Sequence, residues 1–397
     1  MTFHLPMGFE HVHCWFVRGS GGGWILVDTG LAVPGVEPLW QAALAELDGP
    51  VEKILVTHYH PDHVGGAALV AELTGAPVYQ GRRDFDDCVV AWTDPGASDR
   101  LAVLLARHGF PKELGDKART VRRRVWSVVR FCSDPVLVEP GDEIDGWGVV
   151  HLPGHAPGHL AFLRDGVLAS GDVLLARITP SITLDLLSGT DPLGDYLDSL
   201  ERLVALRPAL VLPGHEALID DAARRAGEIA SHHEARLSSV AQPLGDRPLD
   251  AYEISLRVFG EPSDPISRLL AFFETLAHLE YLALRDRIER VETGDGLVAY
   301  RGASPKRPSQ RASSAARSSR ADRCAFTRST FVQSSASCRS RSAMRSSIRA
   351  ISRSTSSSGV GPFGRSRGGR AFFGFGGSGS GSVWSSRRVE YSAQPPG

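Results

Sequence analysis

Over the first two thirds of the chain, apolar residues fall in short runs whose period changes from segment to segment. Two β-rich runs, HVHCWFV (11–17) and WILVDTG (24–30), flank the glycine turn RGSGGG and predict a hairpin. In 36–47 the spacing of Leu39, Trp40, Ala43, Leu44 and Leu47 predicts a helix with one apolar face. A buried-type strand follows at 51–58, then a helix over 64–75 with glycine as its stop, then a strand over 76–80. Strands alternating with helices predict an α/β domain.

The pattern changes twice more. Residues 84–135 read as a helical insertion, partly basic, with helices over 99–110 and 113–131 lying over a pocket. Strand-like runs then resume at 136–144, 147–155, 160–172 and 208–215. From Asp220 the chain turns helical again (221–240, 250–260, 266–286) and ends in a hairpin signal around Gly294-Asp295-Gly296. Helices followed by a hairpin predict a small winged-helix-like unit. Its aromatic stripe (Phe273, Tyr281 and their aliphatic neighbours) belongs to a core. The expected organisation is a catalytic domain over 1–225, a helical, winged-helix-like domain over 226–303 and a tail over 304–397.

Composition sharpens the last boundary. The formal net charge is −1, yet 17 of the 44 basic residues and only two of the 45 acidic ones lie from Ser304 onward. The body therefore carries 27 basic against 43 acidic residues, a balance that repels phosphates and argues against nucleic acid as its general partner. The Ser/Arg/Gly-rich tail has too few aliphatic residues to offset its ordering entropy, which predicts disorder; it is read as a non-selected extension, with an RNA-binding arm as the functional alternative. Five scattered cysteines without a CxxC pair, no basic-then-apolar leader and no run of about 18 apolar residues give the expectation of a cytoplasmic protein without a membrane partner.

The chemistry sits where apolar runs end. KILVTH ends at His58, VVHLPGH at His155, GVLASGD at Asp172 and ALVLPGH at His215. In layered α/β folds strand ends gather at one edge, so these four side chains are expected to meet there. The stretch THYHPDHVGG (57–66) adds His60, Asp62 and His63, with Pro61 bending the loop and the helix start accommodating the carboxylate. Nitrogen and carboxylate donors without thiolate suit Zn²⁺, Fe²⁺ or Mn²⁺. Of the other histidines, His159 is assigned a structural role behind the ligands, His11 and His13 are packed or solvated strand residues, and His232 and His233 are assigned to the surface.

At this point the chain resembles the metallo-β-lactamase superfamily. THYHPDHVGG matches its HxHxDH signature, and LVDTG, PGHAPGH, SGD and PGHE are similar to the rest of its motif set, in order over roughly 8–225. The resemblance implies a four-layer αββα sandwich with two divalent metal ions at one edge, Zn²⁺ first and Fe²⁺ or Mn²⁺ as alternatives. It implies that His58, His60 and His155 hold one ion, that Asp62, His63 and His215 hold the other, and that Asp172 bridges them. Asp28 of LVDTG would be a buried residue behind the ligands, and Asp62 and Asp172 the catalytic carboxylates.

The implied reaction is hydrolysis by a metal-bridging hydroxide. A β-lactamase is disfavoured because Asp172 stands where those two-zinc enzymes carry cysteine, and no flavin domain is visible for a redox relative. The C-terminal unit resembles the extension of the lactamase-like protein 2 endoribonucleases and lacks the basic helices of glyoxalase II. The favoured expectation is a hydrolase of a small-molecule thioester, ester or lactone. An endoribonuclease on single-stranded RNA is the first alternative and a non-catalytic metal-sensing regulator the second. The C-terminal unit is expected to cover the pocket or to form a homodimer.

Overall fold

The computed structural model describes residues 1–4, 11–262, 264–303 and 348–349. Strand β1 (Thr2–His4) pairs antiparallel with β2 (His11–His13). β3 (Trp15–Arg18) and β4 (Trp24–Val27) form the expected hairpin, Trp15 facing Val27. Helix α1 (Glu37–Ala45) and β5 (Val51–Leu55) follow, then the short α2 (Pro61–Val64), α3 (Ala67–Thr74) and β6 (Val78–Gly81). Gly65 and Gly66 divide the one helix expected over 64–75 into two: a Cβ at either would strike backbone, at Pro61 and at Thr29.

The segment read as a helical insertion is three helices, α4 (Arg82–Thr93), α5 (Ala97–Arg107) and α6 (Lys112–Trp126). β7 (Val136–Val138), β8 (Glu143–Ile144), β9 (Trp147–His151), β10 (Leu160–Arg164) and β11 (Val167–Gly171) come next, followed by α7 (Pro192–Leu206) and β12 (Leu210–Pro213). The sequence pattern leaves α7 unassigned. Its start is fixed by Asp191, whose side chain accepts from Gly194 N–H at 3.0 Å.

Two sheets face each other. The first runs β3-β4-β5-β6-β7, parallel from β4 onward; the second runs β12-β11-β10-β9-β8, with only β11 and β12 parallel. Alternation along β4 shows how they pack. Ile25 and Val27 meet Val149, Phe162, Ala169 and Leu212 between the sheets, while Trp24 and Leu26 meet Trp40, Val64 and Val70 on the helical side. On the outer face of the second sheet, Ala161, Leu168 and Val211 pack against Leu193, Leu200 and Leu203 of α7. The result is helix, sheet, sheet, helix.

The C-terminal portion continues that last layer. Helix α8 (Ala222–Ala241) runs without a break through residue 225, and β13 (Leu249–Asp250), α9 (Ala251–Phe259), α10 (Pro265–Leu284), β14 (Ile288–Glu292) and β15 (Val298–Gly302) follow. β15 lies between β13 and β14 in a small antiparallel sheet. Phe273, Leu276 and Tyr281 of α10 share one core with Ile229 of α8, Leu200 of α7 and Tyr300 of β15, as expected for the aromatic stripe, while Leu284 at the end of α10 is exposed. Phe110, after α5, packs tilted against Phe272 with ring centroids 4.9 Å apart, so the insertion and the C-terminal portion touch. The expectation of a disordered tail falls outside the described residues, apart from Ile348–Arg349, which pair antiparallel with β3. No helix among the described residues is long and apolar enough to cross a membrane.

Candidate metal centre

Four loops leave one edge of the paired sheets and meet. The loop after β5 carries His58, His60, Asp62 and His63, the loop after β9 carries His155, the end of β11 carries Asp172, and the end of β12 carries His215. Three sets of donor atoms each lie within 4.8 Å of one another: His58, His60 and His155; His58, His63 and Asp172; and Asp62, His63 and His215. Asp172 is central. Its Oδ2 lies 3.2 Å from His215 Nε2, 3.4 Å from His63 Nε2 and 3.6 Å from His155 Nε2. Asp62 Oδ2 is 3.4 Å from His215 Nε2. Glycine allows this closeness: a Cβ at Gly214 would strike Asp172 and His63.

Four of the five imidazoles are aimed by the nitrogen that faces away from the centre. His58 Nδ1 meets Thr57 Oγ1 at 3.0 Å, His63 Nδ1 meets Asp28 Oδ2 at 2.8 Å, His155 Nδ1 meets the Ser181 carbonyl at 2.9 Å, and His215 Nδ1 meets the His11 carbonyl at 2.5 Å. An oxygen acceptor at Nδ1 holds the proton there and leaves the Nε2 lone pair for the centre. His60 instead turns Nδ1 inward, 2.9 Å from His58 Nε2. Asp28 also accepts from Thr57 N–H at 2.8 Å and from the Thr57 hydroxyl at 2.8 Å. Its backbone is left-handed (φ 60), a conformation that a short aspartate tolerates.

The electrostatics divide the same residues. Burial, reinforced by neighbouring histidines, pushes His58 and His60 well below the ordinary imidazole value, so both offer lone pairs. Burial opposes charge on His63 and His215 too, but Asp172 and the carboxylates beside it outweigh it, raising His63 well above its usual range and His215 to about 9. Burial works against the Asp172 carboxylate, and His215 and His63 still hold its pKa well below normal.

This donor set fits metal ions. His63 Nε2, His155 Nε2 and Asp172 Oδ1 are buried without a hydrogen-bond partner, and buried polar atoms left so are costly. The lone pairs of His58, His60 and His155, buried beside the Asp172 carboxylate, suit an added cation.

All seven residues expected from the sequence as ligands are brought together here. Asp28 stands behind His63 as expected, and His159 is buried beside the centre, its Nε2 accepting from Asp172 N–H at 3.2 Å while its ring stacks on His58. Three acceptors were not legible: the Thr57 hydroxyl and the His11 and Ser181 carbonyls, the last two being main-chain atoms with no residue-type signal. His13 is packed against Glu216, its Nε2 bonding the Glu216 carbonyl at 2.6 Å. The assignment of His233 to the surface is corrected: it is 1% exposed, because α8 turns that face onto α7 and α10, where His233 Nδ1 meets His278 Nε2 at 3.2 Å.

Comparisons with known proteins agree with this geometry. The family model for the metallo-beta-lactamase superfamily matches residues 7–215, and that for the metallo-beta-lactamase-like C-terminal domain matches residues 237–303. The probable metallo-hydrolase YqjP of Bacillus subtilis is 25% identical over 297 residues, covering 71% of this chain and 91% of its own. A hydroxyacylglutathione hydrolase of Xanthomonas axonopodis pv. citri is 30% identical over 221 residues, 55% of this chain and 66% of its own. The crystal structure of a metallo-beta-lactamase family protein from Thermus thermophilus superposes with a TM-score of 0.66 at 34% identity, covering 76% of this chain and 97% of that one.

Proposed function

The chain belongs to the metallo-beta-lactamase superfamily and is a metallo-hydrolase of that fold, and from that premise we propose that it hydrolyses a small-molecule thioester, ester or lactone at a two-metal centre. The observation that carries this reading is Asp172 Oδ2 standing 3.2–3.6 Å from the inward nitrogens of His215, His63 and His155, the place of a carboxylate shared by two positions.

In this reading His58, His60 and His155 hold one ion, Asp62, His63 and His215 the other, and Asp172 both. Bound there, two divalent cations, Zn²⁺ by preference over Fe²⁺ or Mn²⁺, supply Lewis acidity toward the acyl oxygen and lower the pKa of the attacking water. The protein's own part is to aim and to balance charge. The oxygens of Thr57, Asp28, Ser181 and His11 keep four imidazoles in one tautomer, so the centre does not reorganise as the acyl carbon becomes tetrahedral. Asp62, which keeps partial exposure, accepts the proton released as water adds. The C–S or C–O bond then breaks and Asp62 returns its proton to the leaving sulfur or oxygen, giving the acid and a thiol or alcohol.

Charge and relatives support this substrate class. The acidic body disfavours a polyanion, and a relative is named for hydrolysing an acylglutathione, a thioester. That alignment spans only 55% of this chain, so the acyl carrier is left open. We take 1–225 as the catalytic unit and the portion to 303, read as winged-helix-like, as a cover over the insertion side or a dimer contact.

The test is metal analysis of the full chain followed by parallel assays. About two ions per chain and turnover of a generic thioester, ester or lactone are expected. A chain that stays metal-free when supplied with zinc, iron or manganese would overturn the site, and turnover of a short RNA alone would move the reading to an endoribonuclease.

A further inference from the structure

Between the ligands His58 and His60 lies Tyr59, which is not itself a donor to the centre. Both of its main-chain groups are gripped from α4. The Asp84 carboxylate accepts Tyr59 N–H at 2.7 Å, and Trp92 Nε1 donates to the Tyr59 carbonyl at 2.9 Å. Asp84 is wholly buried, and its second oxygen accepts from Gln80 Nε2 at 2.6 Å. It also abuts the loop that carries His155: a Cβ on Gly158 would strike the Asp84 main chain. One residue at the start of a helix thus abuts two of the loops that bring ligands to the centre, its carboxylate against the Tyr59 loop and its main chain against the Gly158 loop.

An ionisable group is rarely placed wholly out of water without a basic partner, and here two N–H donors take that part. For burying Asp84 to be tolerated, what it holds must stay fixed. What it holds is the peptide that sets the directions of His58 and His60. Tyr59 lies in a bend rather than in a strand, where alternation alone would put its two neighbours on one side, so His58 and His60 face the same centre only while its dihedrals are held.

We propose that Asp84 is a positioning residue for the ion held by His58, His60 and His155, acting through its hydrogen bond to Tyr59 N–H. The inference rests on the two-metal reading above. It places on the insertion helix α4 a determinant of metal affinity that neither the HxHxDH pattern nor the strand-end pattern contains.

The test uses the full-length chain, with zinc affinity measured by competition against a chromophoric chelator and folding checked by near-UV circular dichroism. Asp84→Ala should weaken one of the two zinc sites about 10- to 100-fold, the usual effect of losing a partner behind a ligand, and leave the other within threefold. Asp84→Asn keeps an acceptor for Tyr59 N–H and turns a donor toward Gln80, whose amide oxygen has no partner and can meet it after a flip. That variant should return the weakened site to within about threefold of the wild type, a rescue that a merely space-filling role does not give. If Asp84→Ala does not fold, Asp84→Ser decides, because its shorter side chain stays polar yet falls short of Tyr59 N–H; it should show the same selective loss. Wild-type affinity at both sites in the Ala or Ser variant would overturn the proposal, and so would an Asn variant as weak as the Ala or Ser variant. Failure of the wild-type chain to bind any zinc would instead overturn the two-metal reading beneath it.

Discussion

The protein buries two groups of histidines, and they differ in whether carboxylates stand among them. At the sheet edge, five imidazoles turn inward against Asp62 and Asp172, and four have their outer nitrogen fixed by an oxygen. Between α8 and α10, His233 and His278 bond each other, and His278 Nδ1 meets the Glu274 carbonyl of its own helix at 2.7 Å. Carboxylates raise the pKa of His63 and His215 in the first group, whereas burial, with added repulsion from neighbouring cationic groups, lowers both members of the second. His233 Nε2 is also buried without a partner. It is one lone pair, with no third donor grouped around it among the described residues. Burial and histidine content are shared; convergence of several lone pairs with an anion is not, and that is what makes a metal site.

Removing the anion tests this contrast most severely. Asp172→Ala takes away the carboxylate that lies near three Nε2 atoms, so occupancy of both ions should fall together. The value of kcat/KM should drop by at least about 10³, or roughly 4 kcal/mol of barrier. Zinc content and steady-state turnover of the purified variant check it. Two tightly held ions and full activity would show that the histidines suffice, and the distinction between the groups would collapse.

Acid should act on the second group with a defined sign. His278 is held at about 4, below its ordinary 6.5, chiefly by burial and further by Arg236 and His232, against the Glu274 carbonyl that raises it. The folded state therefore binds fewer protons than the unfolded state between those values, and stability present above pH 6.5 is lost as the pH falls toward 4. The loss attributable to His278 is about 2 kcal/mol by pH 5 and on the order of 3 kcal/mol by pH 4. His233, also lowered by burial, adds in the same direction. Urea unfolding of chelator-treated protein at pH 7 and pH 5, compared with a His233→Leu/His278→Leu double variant, isolates this term. Equal acid sensitivity in the two proteins would show that the pair is not buried in its neutral form.

A smaller effect is expected one step behind the metal. Asp28→Asn preserves shape but sets an uncharged group against His63 Nδ1, which Asp28 now meets at 2.8 Å. Affinity for the ion that we propose Asp62, His63 and His215 hold should fall about 10- to 100-fold. Zinc titration reads this directly, and unchanged affinity would mean that His63 is oriented by packing alone.

How much of this was open to the sequence depended on where each atom sits. His58, His155, Asp172 and His215 were legible because each closes an apolar strand, and strands in a layered fold end together. The Ser181 and His11 carbonyls were not, since any residue supplies a carbonyl. The helix over 192–206 stays hidden although Asp191 caps it, because its apolar face continues a core shared with α8 and α10 that only the assembled fold reveals. His233 is misread for a related reason: two adjacent histidines on a polar-looking helix give no sign of which one turns inward until α10 is packed against it.

The smallest predicted effect bears on whether the two histidine groups are separate at all. Tyr196 joins them: its hydroxyl donates to the Val173 carbonyl at 2.9 Å, next to Asp172, and its ring lies edge-on to His233 at 5.5 Å. A change at the pair could therefore reach the centre through this one aromatic side chain. The hydroxyl is anchored independently of His233, and the Tyr196 main chain packs directly on Gly154, whose φ of 125 admits no side chain there. With both ends fixed, the ring has little freedom to pass a displacement on. At neutral pH the His233→Leu/His278→Leu variant should thus retain two ions per chain and a kcat/KM within about twofold of the wild type, a change worth under about 0.5 kcal/mol. A loss beyond tenfold with both ions retained would make Tyr196 a working connection and the two groups one polar network. In that case the metal centre would extend into the C-terminal helices rather than ending at the sheet edge.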